Sequence, residues 1–136
     1  MKDLIAQARD ARRRAYAPYS DFAVGAALLA RDGRVFTGCN VENASYGLTV
    51  CAERVAVFKA VSEGYRDFVA LAVVSETGAT PCGACRQVLV EFDVEQVIVA
   101  RPEGDYAVLT LRELMPQAFD KSQLDRKRKG ETLNVA

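Results

Sequence analysis

Three cysteines and one glutamate are spaced along the sequence like the ligands and the proton carrier of a catalytic zinc site. Cys82 and Cys85 form a Cys-x-x-Cys pair, a spacing that presents both sulfurs on one side of the first turn of a helix. Cys51 supplies a third thiolate. Three protein ligands on a tetrahedral zinc leave the fourth position for water, as in catalytic sites. Glu53, two residues after Cys51, is placed to handle that water's proton, although the helix dipole alone also favours a first-turn glutamate.

The charge of such a site has to be balanced. Zinc with three thiolates carries a net negative charge, which opposes the ionisation of a bound water. Helix N-termini counter part of that charge, because their unpaired N–H groups lower the pKa of a cysteine. Arg54 and Arg86, each of which follows a predicted functional residue, are candidates to hydrogen-bond the sulfurs. The alternative for both is a surface arginine near the start of a helix.

The order Cys51-Ala52-Glu53, followed by Pro81 and the Cys82-x-x-Cys85 pair, resembles the zinc-dependent nucleoside and nucleobase deaminases. The segments Phe22-Ala23-Val24-Gly25-Ala26-Ala27-Leu28 and Asn40-Val41-Glu42-Asn43-Ala44-Ser45-Tyr46-Gly47 are similar to the small homotetrameric cytidine deaminases. The likeness runs from about Leu4 to about Leu124. It implies hydrolytic deamination of cytidine and deoxycytidine in pyrimidine salvage, with one zinc ion per chain. Water activated by zinc would attack C4 of cytosine, and Glu53 would be the general acid and base.

The resemblance also implies a nucleoside pocket. Asn40 and Glu42 match the residues that hold the ribose hydroxyls in this family, Ala52 belongs to the same pocket, and Phe119 matches a phenylalanine that reaches into a neighbouring subunit's site. Strand alternation places Asn40 and Glu42 on one face, and on that ground alone they are polar strand-end residues that bond the next loop.

Aromatic residues offer walls for such a pocket. Phe22 and Tyr46 are the candidates, because a flat pyrimidine packs against aromatic rings, and either is otherwise ordinary core. Gln117 stands where small deaminases often carry glycine. The implied assembly is a homotetramer whose sites are completed across subunits.

Length and charge narrow the function classes. The 136 residues suffice for one domain with a core, and 18 basic residues balance 18 acidic ones, which disfavours nucleic acid and anionic membranes as partners. No apolar run approaches the roughly 20 residues of a membrane span, and Met1 opens a charged amphipathic segment, so we expect a cytoplasmic protein. The fourth cysteine, Cys39, lies on the strand face opposite Asn40 and is expected to be a buried apolar thiol that binds no zinc.

The apolar patterns predict a chain of helices and strands around one sheet. In order, the expected elements are a helix at 3–15, a hairpin at 22–42 turning at Asp32-Gly33, a helix at 50–63 capped by Thr49, a strand at 68–74, a helix from Pro81 to Phe92 capped by Thr80, strands at 97–100 and 106–109, and a short helix at 110–115. This order predicts an α/β fold, a three-layer α/β/α sandwich around a mixed five-stranded sheet. We expect residues 1–125 to form the catalytic domain and residues 126–136 a mobile tail.

Two other functions fit parts of the pattern. A non-catalytic, zinc-stabilised binding module would also use clustered cysteines, but three cysteines without a fourth protein ligand suit it poorly. A deaminase for another cytosine compound, such as an aminoacylated nucleoside antibiotic, would share the zinc motif. The pair Asn40 and Glu42 argues against it.

Overall fold

The computed structural model describes residues 1–124. The predicted tail at 126–136, and with it the domain boundary at 125, lies outside the described residues. The helices and strands, in chain order, are α1 (Lys2–Arg12), β1 (Val24–Ala30), β2 (Val35–Cys39), α2 (Ala52–Ser62), β3 (Phe68–Ser75), α3 (Gly83–Glu91), β4 (Gln96–Ala100), β5 (Tyr106–Thr110) and α4 (Leu111–Leu114). Along these residues, no helix is long and apolar enough to cross a bilayer.

The five strands form one mixed sheet in the order β2-β1-β3-β4-β5. Among these five strands of the described residues, only β3 and β4 pair in parallel, and the other neighbours are antiparallel. The hairpin turn between β1 and β2 depends on Gly33, whose φ of 97° lies in the left-handed region that glycine adopts without steric cost. The predicted hairpin, the buried strand β3 and the antiparallel edge strand β5 are confirmed.

The helices cover the two faces of the sheet. Leu4, Ile5 and Ala8 of α1 belong to a buried cluster that includes Ala72 and Ile98. The opposite face carries a larger cluster, to which α2 contributes Ala52, Ala56, Val57 and Ala60 and α3 contributes Leu89. The three-layer sandwich is therefore confirmed, with α2 and α3 on the same side of the sheet.

The helix starts differ from the predicted ones. Cys51 is the N-cap of α2 and Cys82 the N-cap of α3, each two residues later than the threonine predicted for that position. The threonine hydroxyls are engaged elsewhere. Thr49 accepts a hydrogen bond from the backbone N–H of Asn43, and Thr80 accepts one from Arg86. Two of the three zinc-ligand candidates thus stand at the N-cap positions themselves.

Strand β2 is shorter than predicted. It ends at Cys39, and the chain continues through Val41, which bridges to both Tyr16 and Val50. Cys39 is half-buried where the alternation predicted a buried thiol. The reason is that Val35, Thr37 and Cys39 occupy the less covered face of an edge strand, whereas Phe36 and Gly38 point into the core.

Candidate active site

The sulfurs of three cysteines meet where the N-termini of α2 and α3 lie side by side. Sγ of Cys51 is 3.9 Å from Sγ of Cys82, which is 3.6 Å from Sγ of Cys85, and all three lie within 4.8 Å of one another. Zinc–sulfur bonds of about 2.3 Å at tetrahedral angles place thiolates about 3.8 Å apart. The three sulfurs therefore fit one zinc ion. Cys39 is outside this cluster.

The surroundings of the sulfurs favour a thiolate. A hydrogen bond from Cys85, together with one from Arg54, lowers the pKa of Cys51 to about 5 in spite of its partial burial. The same shared proton raises the pKa of Cys85, which is fully buried. The Nη2 atom of Arg54 lies 3.5 Å from Sγ of Cys51, so the guanidinium contacts a sulfur as the sequence predicts.

Glu53 follows in the first turn of α2. Its side chain is only 5% exposed, and burial raises the pKa of its carboxyl to about 6, with the charge of Cys51 acting in the same direction. A carboxyl with a pKa near neutrality exchanges protons readily at physiological pH, which suits a general acid and base.

A cleft of about 280 Å³ opens beside the sulfurs and Glu53. Most of the residues predicted for the site line it, namely Phe22, Asn40, Glu42, Cys51, Ala52, Glu53 and Cys82. Residues for which the sequence predicted no role in the site also line it, including Ser20, Thr49, Val73, Ser75, Ala79 and Thr80. The residue types of these small side chains do not indicate a role in a site. It is the path of the backbone that places them at the cleft.

Asn40 and Glu42 reach the cleft from the segment that follows β2, and both are largely buried. Asn40 accepts a hydrogen bond from the N–H of Val24 through Oδ1, at 2.9 Å, and donates one from Nδ2 to the carbonyl oxygen of Phe22, at 2.8 Å. Glu42 accepts hydrogen bonds from the backbone N–H groups of Tyr19 and Ser20, at 2.9 and 3.1 Å, and from the hydroxyl of Ser20. These bonds, that of the Ser20 hydroxyl most of all, lower the pKa of the Glu42 carboxyl.

Arg86 has a different position from the one predicted. Its guanidinium donates to the carbonyl oxygens of Pro81 and Leu114, both at 2.7 Å, and to the hydroxyl of Thr80, at 2.9 Å. It therefore ties the end of α4 to the loop before α3, and these hydrogen bonds go to oxygens and not to the sulfurs. The geometry assigns it to the support of that loop.

Tyr46 and Phe119 are not among the residues lining the cleft of their own chain. Tyr46 is 75% exposed, and its ring packs edge-on against that of Tyr19. Phe119 is 60% exposed, and its carbonyl oxygen accepts a hydrogen bond from Gln87. The backbone at Gln117 has a φ of 54°, the left-handed conformation that glycine adopts most easily.

Comparison with known proteins agrees with this geometry. The sequence model for the cytidine and deoxycytidylate deaminase zinc-binding region matches residues 1–101. The chain belongs to the cytidine deaminase family. It is 52% identical to the cytidine deaminase of Sporosarcina psychrophila over 91% of this chain and 94% of that protein. With the enzyme of Halalkalibacterium halodurans it shares 53% identity over 90% and 96% of the two chains.

The fold also matches that of a solved cytidine deaminase structure. The crystal structure of cytidine deaminase from Burkholderia pseudomallei superimposes with a TM-score of 0.83 at 54% identity, and the match covers 86% of this chain and 97% of that one. The zinc-binding region of the family includes Cys51, Cys82 and Cys85, the three sulfurs that the fold brings together. The chain is therefore a zinc-dependent deaminase with a site for one zinc ion.

Proposed function

We propose that this protein deaminates cytidine and deoxycytidine by hydrolysis, giving uridine or deoxyuridine and ammonia. The observation that carries the proposal is a cleft lined by Cys51 and Cys82 of the sulfur cluster, by the buried carboxyl of Glu53, and by two polar residues, Asn40 and Glu42. Such a cleft suits a ligand with a reactive base at one end and a sugar at the other. Family relatives that act on cytidine, at 52% and 53% identity, support the same substrate.

Glu53 is the proposed proton carrier. Cys51, Cys82 and Cys85 would hold the zinc ion, whose Lewis acidity would make water a nucleophile near neutral pH. Glu53 takes one proton of the attacking water and delivers it to N3 of the ring, and then passes the second to the amino group that leaves C4. One water is consumed and one ammonia released, and Glu53 returns to its starting state.

Asn40 and Glu42 are the proposed sugar contacts, because each has hydrogen-bonding capacity left after its contacts within the chain. Asn40 uses one of its two Nδ2 protons on Phe22, which leaves the second for a sugar oxygen. Glu42 retains an acceptor position for a sugar hydroxyl. Phe22 and Ala52 would pack against the pyrimidine, and Arg54 would moderate the charge of Cys51.

A homotetrameric assembly completes the proposal. Tyr16, Tyr19, Val41, Tyr46 and Leu48 are all exposed. Tyr16 forms a backbone bridge with Val41, and the ring of Tyr19 contacts that of Tyr46. We call these five residues the rim patch, because Glu42 and Ser20 of the same segments line the cleft. Exposed apolar patches of this kind mark interfaces, so the rim patch supports completion of the cleft by a second copy, with Tyr46 and Phe119 as cross-subunit contacts.

The location and partners follow from the same proposal. A nucleoside-metabolising enzyme without charge excess is expected in the cytoplasm, with small molecules as its ligands and neither nucleic acid nor a membrane as a partner. These expectations belong to the proposed function.

The test is a panel of substrates followed by ultraviolet absorbance. We expect turnover of cytidine and deoxycytidine and little turnover of cytidine monophosphate, free cytosine, adenosine or a cytosine-nucleoside antibiotic. The carboxylate of Glu42 disfavours an added phosphate, and free cytosine leaves Asn40 and Glu42 without hydroxyl partners. Preferential turnover of the antibiotic would replace the substrate assignment. Bound zinc without any hydrolytic activity would favour the binding-module alternative.

A further inference from the structure

Ser20 lies at the centre of a hydrogen-bond chain that has no part in the proposed mechanism. Its hydroxyl oxygen accepts a hydrogen bond from the backbone N–H of Phe22, at 3.1 Å, and its hydroxyl proton is donated to Oε2 of Glu42. The directions are fixed, because a backbone N–H only donates and an ionised carboxylate only accepts. Ser20 therefore links the carboxylate of Glu42 to the backbone of Phe22, and all three residues line the cleft.

The contacts of Glu42 leave it one acceptor position. Oε1 receives the N–H groups of Tyr19 and Ser20, and Oε2 receives the hydroxyl of Ser20. A carboxylate offers about four lone-pair sites, so about one remains, on Oε2. Because Ser20 fixes the rotation of the carboxylate from both oxygens, that remaining position has a fixed direction within the cleft that Glu42 lines.

Phe22 is held from its other side as well. Its carbonyl oxygen accepts a hydrogen bond from Nδ2 of Asn40, so its peptide groups are tied to Asn40 and, through Ser20, to Glu42. Hydrogen bonds in such a chain polarise one another. A hydroxyl bound at Glu42 thus joins a continuous network that includes the backbone of Phe22.

We propose that Ser20 is a positioning residue that presents Glu42 as a single fixed acceptor for a ribose hydroxyl and ties it to Phe22, and so sets the preference for nucleosides that carry ribose hydroxyls. This inference rests on the proposed function, in which Glu42 contacts the sugar. Ser20 itself is an exposed residue, so its hydroxyl is dispensable for the hydrophobic core.

The measurement is the ratio of kcat/KM for cytidine to kcat/KM for 2′,3′-dideoxycytidine, which lacks the hydroxyls that Glu42 would bind. Ser20→Ala is expected to lower this ratio about tenfold, the effect of one hydrogen bond to a charged group, mainly through a loss on cytidine. Zinc content and unfolding temperature should be unchanged. Ser20→Thr keeps the hydroxyl and should restore the ratio.

Two controls separate positioning from a general effect of the substitution. Ser62→Ala also removes one hydroxyl hydrogen bond from an exposed serine, to the carbonyl oxygen of Lys59 on α2, and should leave the ratio as in the wild type. In a Glu42→Gln background, Ser20→Ala should change the ratio little further, because the two residues act as one unit.

The outcomes distinguish this inference from the function on which it rests. If the wild type deaminates cytidine and Ser20→Ala keeps the wild-type ratio, the positioning role is overturned and the proposed function stands. An equal effect of Ser20→Ala in the Glu42→Gln background also overturns it. A wild-type protein that does not deaminate cytidine overturns both.

Discussion

Two carboxyl groups of the same cleft have pKa values shifted in opposite directions. Burial raises the pKa of Glu53 to about 6, while hydrogen bonds from Ser20 and Tyr19 lower that of Glu42. Both side chains are glutamates, so the difference lies in their surroundings: burial dominates at Glu53, and hydrogen-bond donors dominate at Glu42. The carboxyl governed by burial is suited to moving protons, and the carboxyl surrounded by donors is suited to accepting a hydrogen bond as a permanent anion.

Replacing Glu53 tests the proton transfer directly. Glu53→Gln keeps the size and much of the polarity of the side chain but cannot carry a proton. We expect the variant to remain folded and zinc-loaded and to lose at least ~10²-fold in kcat, the lower end of the contribution of general acid–base catalysis. Steady-state kinetics with cytidine, together with metal analysis of the same sample, check this. A near-normal rate would remove Glu53 from the mechanism.

The four cysteines provide a matched set for the zinc assignment. Cys51→Ala, Cys82→Ala and Cys85→Ala each remove one of three clustered sulfurs and are expected to abolish stoichiometric zinc. Cys39→Ala removes a half-buried thiol outside the cluster and should retain about one zinc per chain. Metal analysis of the four purified variants measures the zinc content of each. Zinc loss in Cys39→Ala without loss in the other three would contradict the ligand set.

At the scale of residues, the sequence predicts what spacing determines and misses what local hydrogen bonding determines. The Cys-x-x-Cys pair and Glu53 were predictable because the position of a residue in the first helical turn fixes where its side chain points. The position of Arg86 was not, because carbonyl oxygens of Pro81 and Leu114 attract its guanidinium and the sequence shows no sign of them. The bond of Ser20 to Glu42 was not predictable either, because 22 positions separate the two residues in the sequence.

At the scale of elements, the site depends on how closely α2 approaches the sheet. A Cβ atom added at Gly38 would lie 2.4 Å from the carbonyl oxygen of Ala52 and 2.6 Å from the N atom of Ala56. The backbone of α2 therefore rests directly on β2, with the first turn of the helix beside the segment that carries Asn40. The element order and the sheet were predictable from periodicity, but the helix starts were not, because Thr49 and Thr80 use their hydroxyls on other partners.

This close approach makes Gly38 a sensitive position. Gly38→Ala would push α2 away from β2, and we expect it to lower the free energy of unfolding by about 1–3 kcal/mol, as overpacking does. It should also lower kcat/KM for cytidine, because Glu53 moves with the helix while Asn40 stays with the strand.

A second glycine supplies the control. Around Gly47 an added Cβ meets no atom within 4 Å, so Gly47→Ala should change the free energy of unfolding by no more than about 0.5 kcal/mol. Denaturant unfolding of both variants gives the comparison. Equal stability of Gly38→Ala and Gly47→Ala would show that α2 can move away from β2 without a loss in the free energy of unfolding.

At the scale of the whole molecule, the described residues bury a hydrophobic core, but aromatic side chains near the cleft remain exposed. Tyr46 and Leu48 of the rim patch are among the most exposed large apolar side chains of the described residues, and Phe119 is similarly exposed. Sequence alone could not separate core aromatics from rim aromatics, because residue type is the same for both. Exposure in the folded chain separates them, and it supports the proposed assembly in which a second copy covers the rim patch.

Sedimentation of the full chain tests this assembly. We expect a particle of about four chains, with little dependence on salt because the rim patch is apolar. Tyr46→Asp places a charge in the patch and should release smaller species that bind zinc normally but deaminate cytidine far more slowly, since a separated chain leaves its cleft open. Tyr106→Asp introduces the same change at an exposed tyrosine of the edge strand β5 and should sediment like the wild type. A wild-type monomer with full activity would show that one chain completes its own site, and it would leave Tyr46 and Phe119 without a role in substrate binding.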